Sequence, residues 1–179
     1  LYATQALVGL AWTQSNGATT DVYYTIADQH PDGSLSSWQS AVNVSASATR
    51  DSSSPQEIID DSGMIHIAWV EALGTNESEI HVILCRNGNC DSPVILSAEQ
   101  QDLACSWTNP DDRKKNDAPH LAINGDQIML TWQSAGQVLY STWSAQEPIP
   151  QLEADCLAPI ASGTEFSDLV AGPENGFSL

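Results

Sequence analysis

Three stretches of the chain repeat one pattern: LVGLAW ends at Trp12, MIHIAW at Trp69 and QIMLTW at Trp132, 57 and 63 residues apart. A second series, DVYYT, EIHVI and QVLYS, begins at positions 21, 79 and 137, each start 58 residues after the last. Self-similarity at such a spacing marks an array of equivalent supersecondary units, each too small to bury its own hydrophobic face. Function in such an array is to be sought where the units meet or differ.

Each unit reads as short strands of alternating character separated by turn residues. The second is the clearest: PQEIID from Pro55, a turn at Asp61-Ser62-Gly63, MIHIAWVE, a polar loop, EIHVILC from Glu79, and SPVILS ending at Ser97. The first unit keeps GLAW, DVYYT and WQSAVNVS but has no first strand of its own. The third opens at Ala118-Pro119, turns at Asn124-Gly125-Asp126, and has a fourth strand interrupted by Pro148 and Pro150, residues that a strand tolerates best at an edge. Residues 166–179 repeat the first strand, the turn and the opening of the second.

In the second strands, Val8, Leu10 and Trp12 align with Ile65, Ile67 and Trp69 and with Ile128, Leu130 and Trp132. The alternate positions hold Gly9 and Ala11, His66 and Ala68, Met129 and Thr131, so that neither face carries many charges. Such a strand is expected to be buried on both faces, which a sheet achieves when stacked between two others. The three tryptophans are therefore expected in the core. The predicted fold is all-β, a single β-propeller segment over 1–179 with blades of four antiparallel strands. About three blades are present, at approximately 1–48, 54–97 and 118–160, with the start of a further blade at 166–179 and an insert at 98–117. They would form part of a ring, or a ring shared between chains. The start at Leu1, with neither Met nor a leader, fits removal of a signal segment or excision from a longer chain.

Charge and cysteine content narrow the setting. Five basic against 23 acidic residues, a net charge of −18, would repel nucleic acid and an anionic membrane surface. No apolar run is long enough to insert into a bilayer. Cys85 and Cys90 bracket a four-residue turn between two strand-like runs, within disulfide reach. Cys105 and Cys156 would then pair across neighbouring units, although four cysteines permit three connectivities. With the triplets Asn43-Val-Ser45 and Asn76-Glu-Ser78 as possible glycan acceptors, these features predict an extracellular or cell-surface protein.

The pattern SPxxxxDxxGxIHIAWxE, followed by the third- and fourth-strand motifs, resembles the blades of secreted bacterial β-propellers of the sialidase-like superfamily. The superfamily's Asp-box is only echoed, in HPDGSLSSW at 30–38 and CRNGNC at 85–90. The resemblance implies the fold; its members include sialidases and many non-catalytic binding modules. Sialidase chemistry needs three clustered arginines, a Tyr nucleophile with a Glu partner, and an Asp acid. Arg50, Arg86 and Arg113 are the chain's only arginines, and none sits in a matching motif. No catalytic residue is assigned.

The insert AEQQDLACSWTNPDDRKKND breaks the repeat and holds the only basic cluster. Loops on a rigid scaffold commonly carry binding, which makes Trp107, Arg113, Lys114 and Lys115 the candidate binding residues. The alternative is a packed flap stapled by Cys105 and Cys156. The oxygen-rich turns at Asp60-Asp61 with Gly63, at 109–112 and at 124–126 could hold Ca²⁺ but lack the spacing of a calcium loop. His30, His66, His81 and His120 lack zinc-ligand spacing, so no metal site and no cofactor are assigned. His66 and His81 are read instead as residues between sheets. The expected function is a non-catalytic binding or scaffolding module for protein or glycan. Alternatives are a structural repeat of a surface layer, self-associating through unfinished terminal blades, and a fragment of a sialidase-like glycosidase.

Overall fold

The computed structural model describes residues 6–96, 115–134, 137–146, 155–156, 170–171 and 177–178. Every regular element among them is a strand, and each pairing is antiparallel. The first sheet holds β1 (Ala6–Ser15), β2 (Thr20–Gln29) and β3 (Val42–Asn43), in that order. The middle sheet holds β4 (Ser52–Ile59), β5 (Ile65–Gly74) and β6 (Glu77–Arg86). Its outer edge is completed by two short pieces that both pair with β6, β7 (Asn89–Cys90) and β8 (Val94–Leu96). The third sheet has the order β12-β11-β10-β9, from β9 (Asn116–Asn124), β10 (Gln127–Ser134), β11 (Gln137–Ser144) and β12 (Asp155–Cys156). A further pair, β13 (Val170–Ala171) with β14 (Phe177–Ser178), repeats the relation of first to second strand.

The middle sheet is buried on both faces, and strand alternation explains how. On one face Ile65, Ile67 and Trp69 of β5, with Ile83 and Cys85, pack against Val22, Tyr24 and Ile26 of β2. On the other, Ala68, Val70, Ile80 and Val82 pack against Ile128, Leu130, Trp132 and Leu139 of the third sheet. Residues that alternate along β5 point to opposite faces, so one strand serves two cores. Ile65, Ile67, Ala68 and Trp69 are each at most 1% exposed, as a doubly covered strand requires.

The first strands share a kink. Ser54 and Ala118 both have positive φ, 51° and 49°, each directly before a proline. The ladder slips nearby in both sheets, between Ser53 and Gln56 in β4 and opposite Thr131 and Gln133 in β9. Proline cannot donate to the ladder, and a bulge is where a strand accommodates it. This places Glu57 and Leu121, each three residues after its kink, opposite Ile67 and Leu130 in the ladders.

One expectation needs correction. Trp12 does not lie in a core: it is half-buried on the outer face of the first sheet, stacked on Tyr23 with ring centroids 5.9 Å apart. Its register is that of Trp69 and Trp132, but no described sheet covers that face, and Leu10 beside it is 52% exposed. Asn116 opens β9, two residues before Ala118, where the third unit is expected to begin. The Asn116 side chain accepts the Trp132 indole N–H at 3.1 Å and donates to the Ser78 carbonyl at 2.6 Å. The fourth strand expected in SPVILS is present as β8, with β7 ahead of it on the same edge of β6.

Candidate functional site

The β4–β5 and β9–β10 turns lie at one end of the middle and third sheets and together line a groove of about 320 Å³. Asp60, Asp61 and Ser62 form one wall; Gly125 and Asp126, with Ala145 and Gln146 at the end of β11, form the other. The Asp60-Asp61 and 124–126 turns, read separately in the sequence, are thus brought together.

Asp60 organises its turn. Its Oδ1 accepts the Ser62 amide at 2.8 Å, the Ser62 hydroxyl at 2.7 Å and the Met64 amide at 2.9 Å. Its Oδ2 lies 3.2 Å from His66 Nε2. Burial pushes the Asp60 carboxyl up, and the hydrogen bonds from Ser62, Met64 and His66 outweigh it, leaving the group below its ordinary value. Burial pushes His66 down, against the opposing pull of Asp60, so the imidazole is held neutral at pH 7 with Nε2–H as the donor to Asp60. His66 lies in ring contact with Trp143 at 6.1 Å; its Nδ1 and the Trp143 indole N–H are buried without a hydrogen-bond partner. Both interior histidines lie between sheets: His81 pairs with Glu79 at 3.2 Å and packs on Trp69 at 5.3 Å.

Both oxygens of Asp60 are thus engaged by the turn and by His66, which leaves Asp61 and Asp126 as the carboxylates free of that work. Among the described residues no group of three or more His, Cys, Asp or Glu is placed to hold a metal. The 109–112 turn lies outside the described residues.

No protein-family model matches this chain, and no curated protein and no solved structure matches it. The chemistry must be read from its own residues.

Cys85 and Cys90 form a disulfide across the Asn87-Gly88 turn, where both residues have positive φ, 51° and 78°. Asn and Gly are the residues that accept that conformation in a two-residue hairpin. The Tyr24 hydroxyl of the first sheet reaches this hairpin, 3.8 Å from Cys90 Sγ. Cys105 lies outside the described residues, as does the side chain of Cys156, whose backbone pairs with Leu139 in β12. Trp107, Arg113 and Lys114 also lie outside them, whereas Lys115 is exposed immediately before β9. The expected binding insert is therefore seen only at its end.

Arg86 is exposed and donates to Ser62 Oγ at 2.7 Å. Arg50 precedes β4, whose start pairs with the end of β5, so the two arginines sit at opposite ends of the middle sheet. A carboxylate clamp cannot use both. Asn43 is held by Asp21 Oδ2 at 2.8 Å and caps the Ala46 amide at 2.9 Å, which makes it a poor glycan acceptor; Asn76 stands exposed in the β5–β6 turn. No helix long and apolar enough to cross a membrane is present among the described residues.

One residue escaped the sequence reading. Glu57 of β4 lies on the same face as Ile59 and Ile67, turned toward the first sheet, and its Oε1 occupies the space that a Cβ would fill at Gly9 of β1. Its Oε2 is buried without a hydrogen-bond partner, and burial pushes the carboxyl up to about 7. The signal was present in PQEIID, where a charge sits on the apolar row of the strand.

Proposed function

We propose that this chain is a non-catalytic extracellular module of β-propeller blades that binds or scaffolds protein or glycan. The observation that supports it is the repeated seam: Ile65, Ile67 and Trp69 meet the first sheet as Ile128, Leu130 and Trp132 meet the middle one. Stacking like sheets through equivalent faces is how a propeller grows, and its loops and hairpins then present ligand-binding surfaces. The Cys85–Cys90 disulfide fits an oxidising compartment. At a net charge of −18, neutral glycans and basic protein surfaces are the compatible partners.

A binding screen against neutral glycans and basic proteins tests this reading. Trp107→Ala is expected to weaken the recovered interaction by about 30-fold, the effect of losing a hot-spot side chain. If instead Asp61→Ala or Asp126→Ala abolishes it, the site is the groove between the turns. Absence of binding to either class contradicts the proposal.

A second reading, a structural repeat subunit, is favoured by one observation. Val8, Leu10 and Trp12 occupy positions that are covered in the other two sheets, yet face outward, and β1 has no strand on its outer edge among the described residues. An open edge and an apolar face invite another copy of the chain to pack there.

A further inference from the structure

Among the differences between the seam of the first and middle sheets and the next seam, one puts a carboxyl where an apolar residue stands. Leu121 and Glu57 are equivalent: each follows its kink by three residues, and they lie opposite Leu130 and Ile67, which are themselves equivalent. Leu121 packs into an apolar core with Ala68, Leu130 and Trp132. Glu57 puts a carboxyl in that place, and Gly9 supplies the room for it.

The groups on the facing surfaces offer no cation beside it. From β2 come Tyr24 and Asp28, which pair with Ala11 and Leu7 on the inward face of β1; β1 itself contributes no titratable group there. The middle sheet adds Glu71 from β5 and Glu79 with His81 from β6, farther along the same face. Asp51, before β4, accepts the Thr20 amide at 2.8 Å. Arg86 turns to Ser62, and Arg50 lies beyond the far end of β4. Tyr24 is raised by burial and then by the Glu57 charge itself, which places the two groups within electrostatic reach.

We propose that Glu57 is a proton-operated latch between the first and middle sheets. With its proton on, the neutral carboxyl lies against Gly9 and the seam is closed. When the proton leaves to water, the charge left behind has no partner, and hydrating it parts the seam between β1 and β4. The sign follows from the raised value of about 7 against an ordinary 4.5. Closure is favoured most below pH 4.5, weakens as pH rises from there to about 7, and is then level.

Hydrogen exchange of β1 and β2, corrected for intrinsic rates at each pH, tests the latch, with β10 and β11 as the internal reference. From pH 5 to 8.5 the protection of β1 and β2 should fall by tens- to a hundred-fold, about ten for each unit of displacement less what solvent access takes back, while that of β10 and β11, beside the neutral His66, does not fall. Glu57→Gln, which keeps shape and removes ionisation, should flatten the profile; Gly9→Ala should loosen β1 at every pH. A fall that persists in Glu57→Gln overturns the proposal, as does a flat wild-type profile. A carbon-13 titration of the Glu57 carboxyl in the unmodified protein decides independently of any variant. A midpoint near 7 supports the latch, and one in the ordinary carboxylate range ends it.

Discussion

Single residues here act through the groups they satisfy. Asp60 closes a tight turn with three hydrogen bonds on one oxygen and orients a buried neutral His66 with the other. Removing it leaves buried donors unpaired, so Asp60→Ala should cost about 2–4 kcal/mol, measured by urea unfolding at pH 7. The pH dependence has a definite sign. The His66 contribution to stability should decline as pH drops below about 6.5, where the unfolded chain protonates a histidine that the fold keeps neutral, and the Asp60 contribution below about 3.8, where the unfolded carboxyl gains a proton that the fold resists. An acid limb unchanged by Asp60→Ala would contradict this assignment. The Asp60 turn was legible in the sequence because Asp, Ser and Gly announce turns. Its bond to His66 was not, because a six-residue separation says nothing about which side chains meet.

At the level of elements, the strands were readable and their environments only partly so. The alternation in MIHIAW gave the double burial of β5 correctly, since a strand with few charges on either face must be covered twice. The same reasoning failed for Trp12, because periodicity fixes which face a side chain shares but not what lies against that face. Glu57 failed in the opposite way: a charge on an apolar row reads as an imperfection until Gly9 is seen beneath it. The hairpin of Cys85 and Cys90 was legible outright, as the Asn-Gly turn brings the two strand ends together. With its cysteines only five positions apart in the sequence, this disulfide restricts the unfolded chain only slightly, and the double change of Cys85 and Cys90 to Ala should cost about 2 kcal/mol. Urea unfolding checks it; a loss of cooperative unfolding would mean that the hairpin anchors the whole seam through Tyr24.

For the molecule as a whole, three antiparallel sheets stack so that equivalent residues recur at each seam, and this recurrence is what the propeller proposal rests on. The all-β class and the order of antiparallel strands were legible because repeats test one another: a strand assigned in one unit is checked by its counterpart 58 residues on. The candidate binding insert was legible only as a break in that repeat, which locates an irregularity without giving its shape. The proposed stacking leaves the β1 row of Val8, Leu10 and Trp12 as an interface awaiting a further blade. Native mass by size exclusion with light scattering tests that claim most directly, with Leu10→Glu as the comparison. The account predicts a discrete assembly larger than one 19.2 kDa chain, which Leu10→Glu reduces to single chains. A stably folded single chain, indifferent to Leu10→Glu, would contradict it.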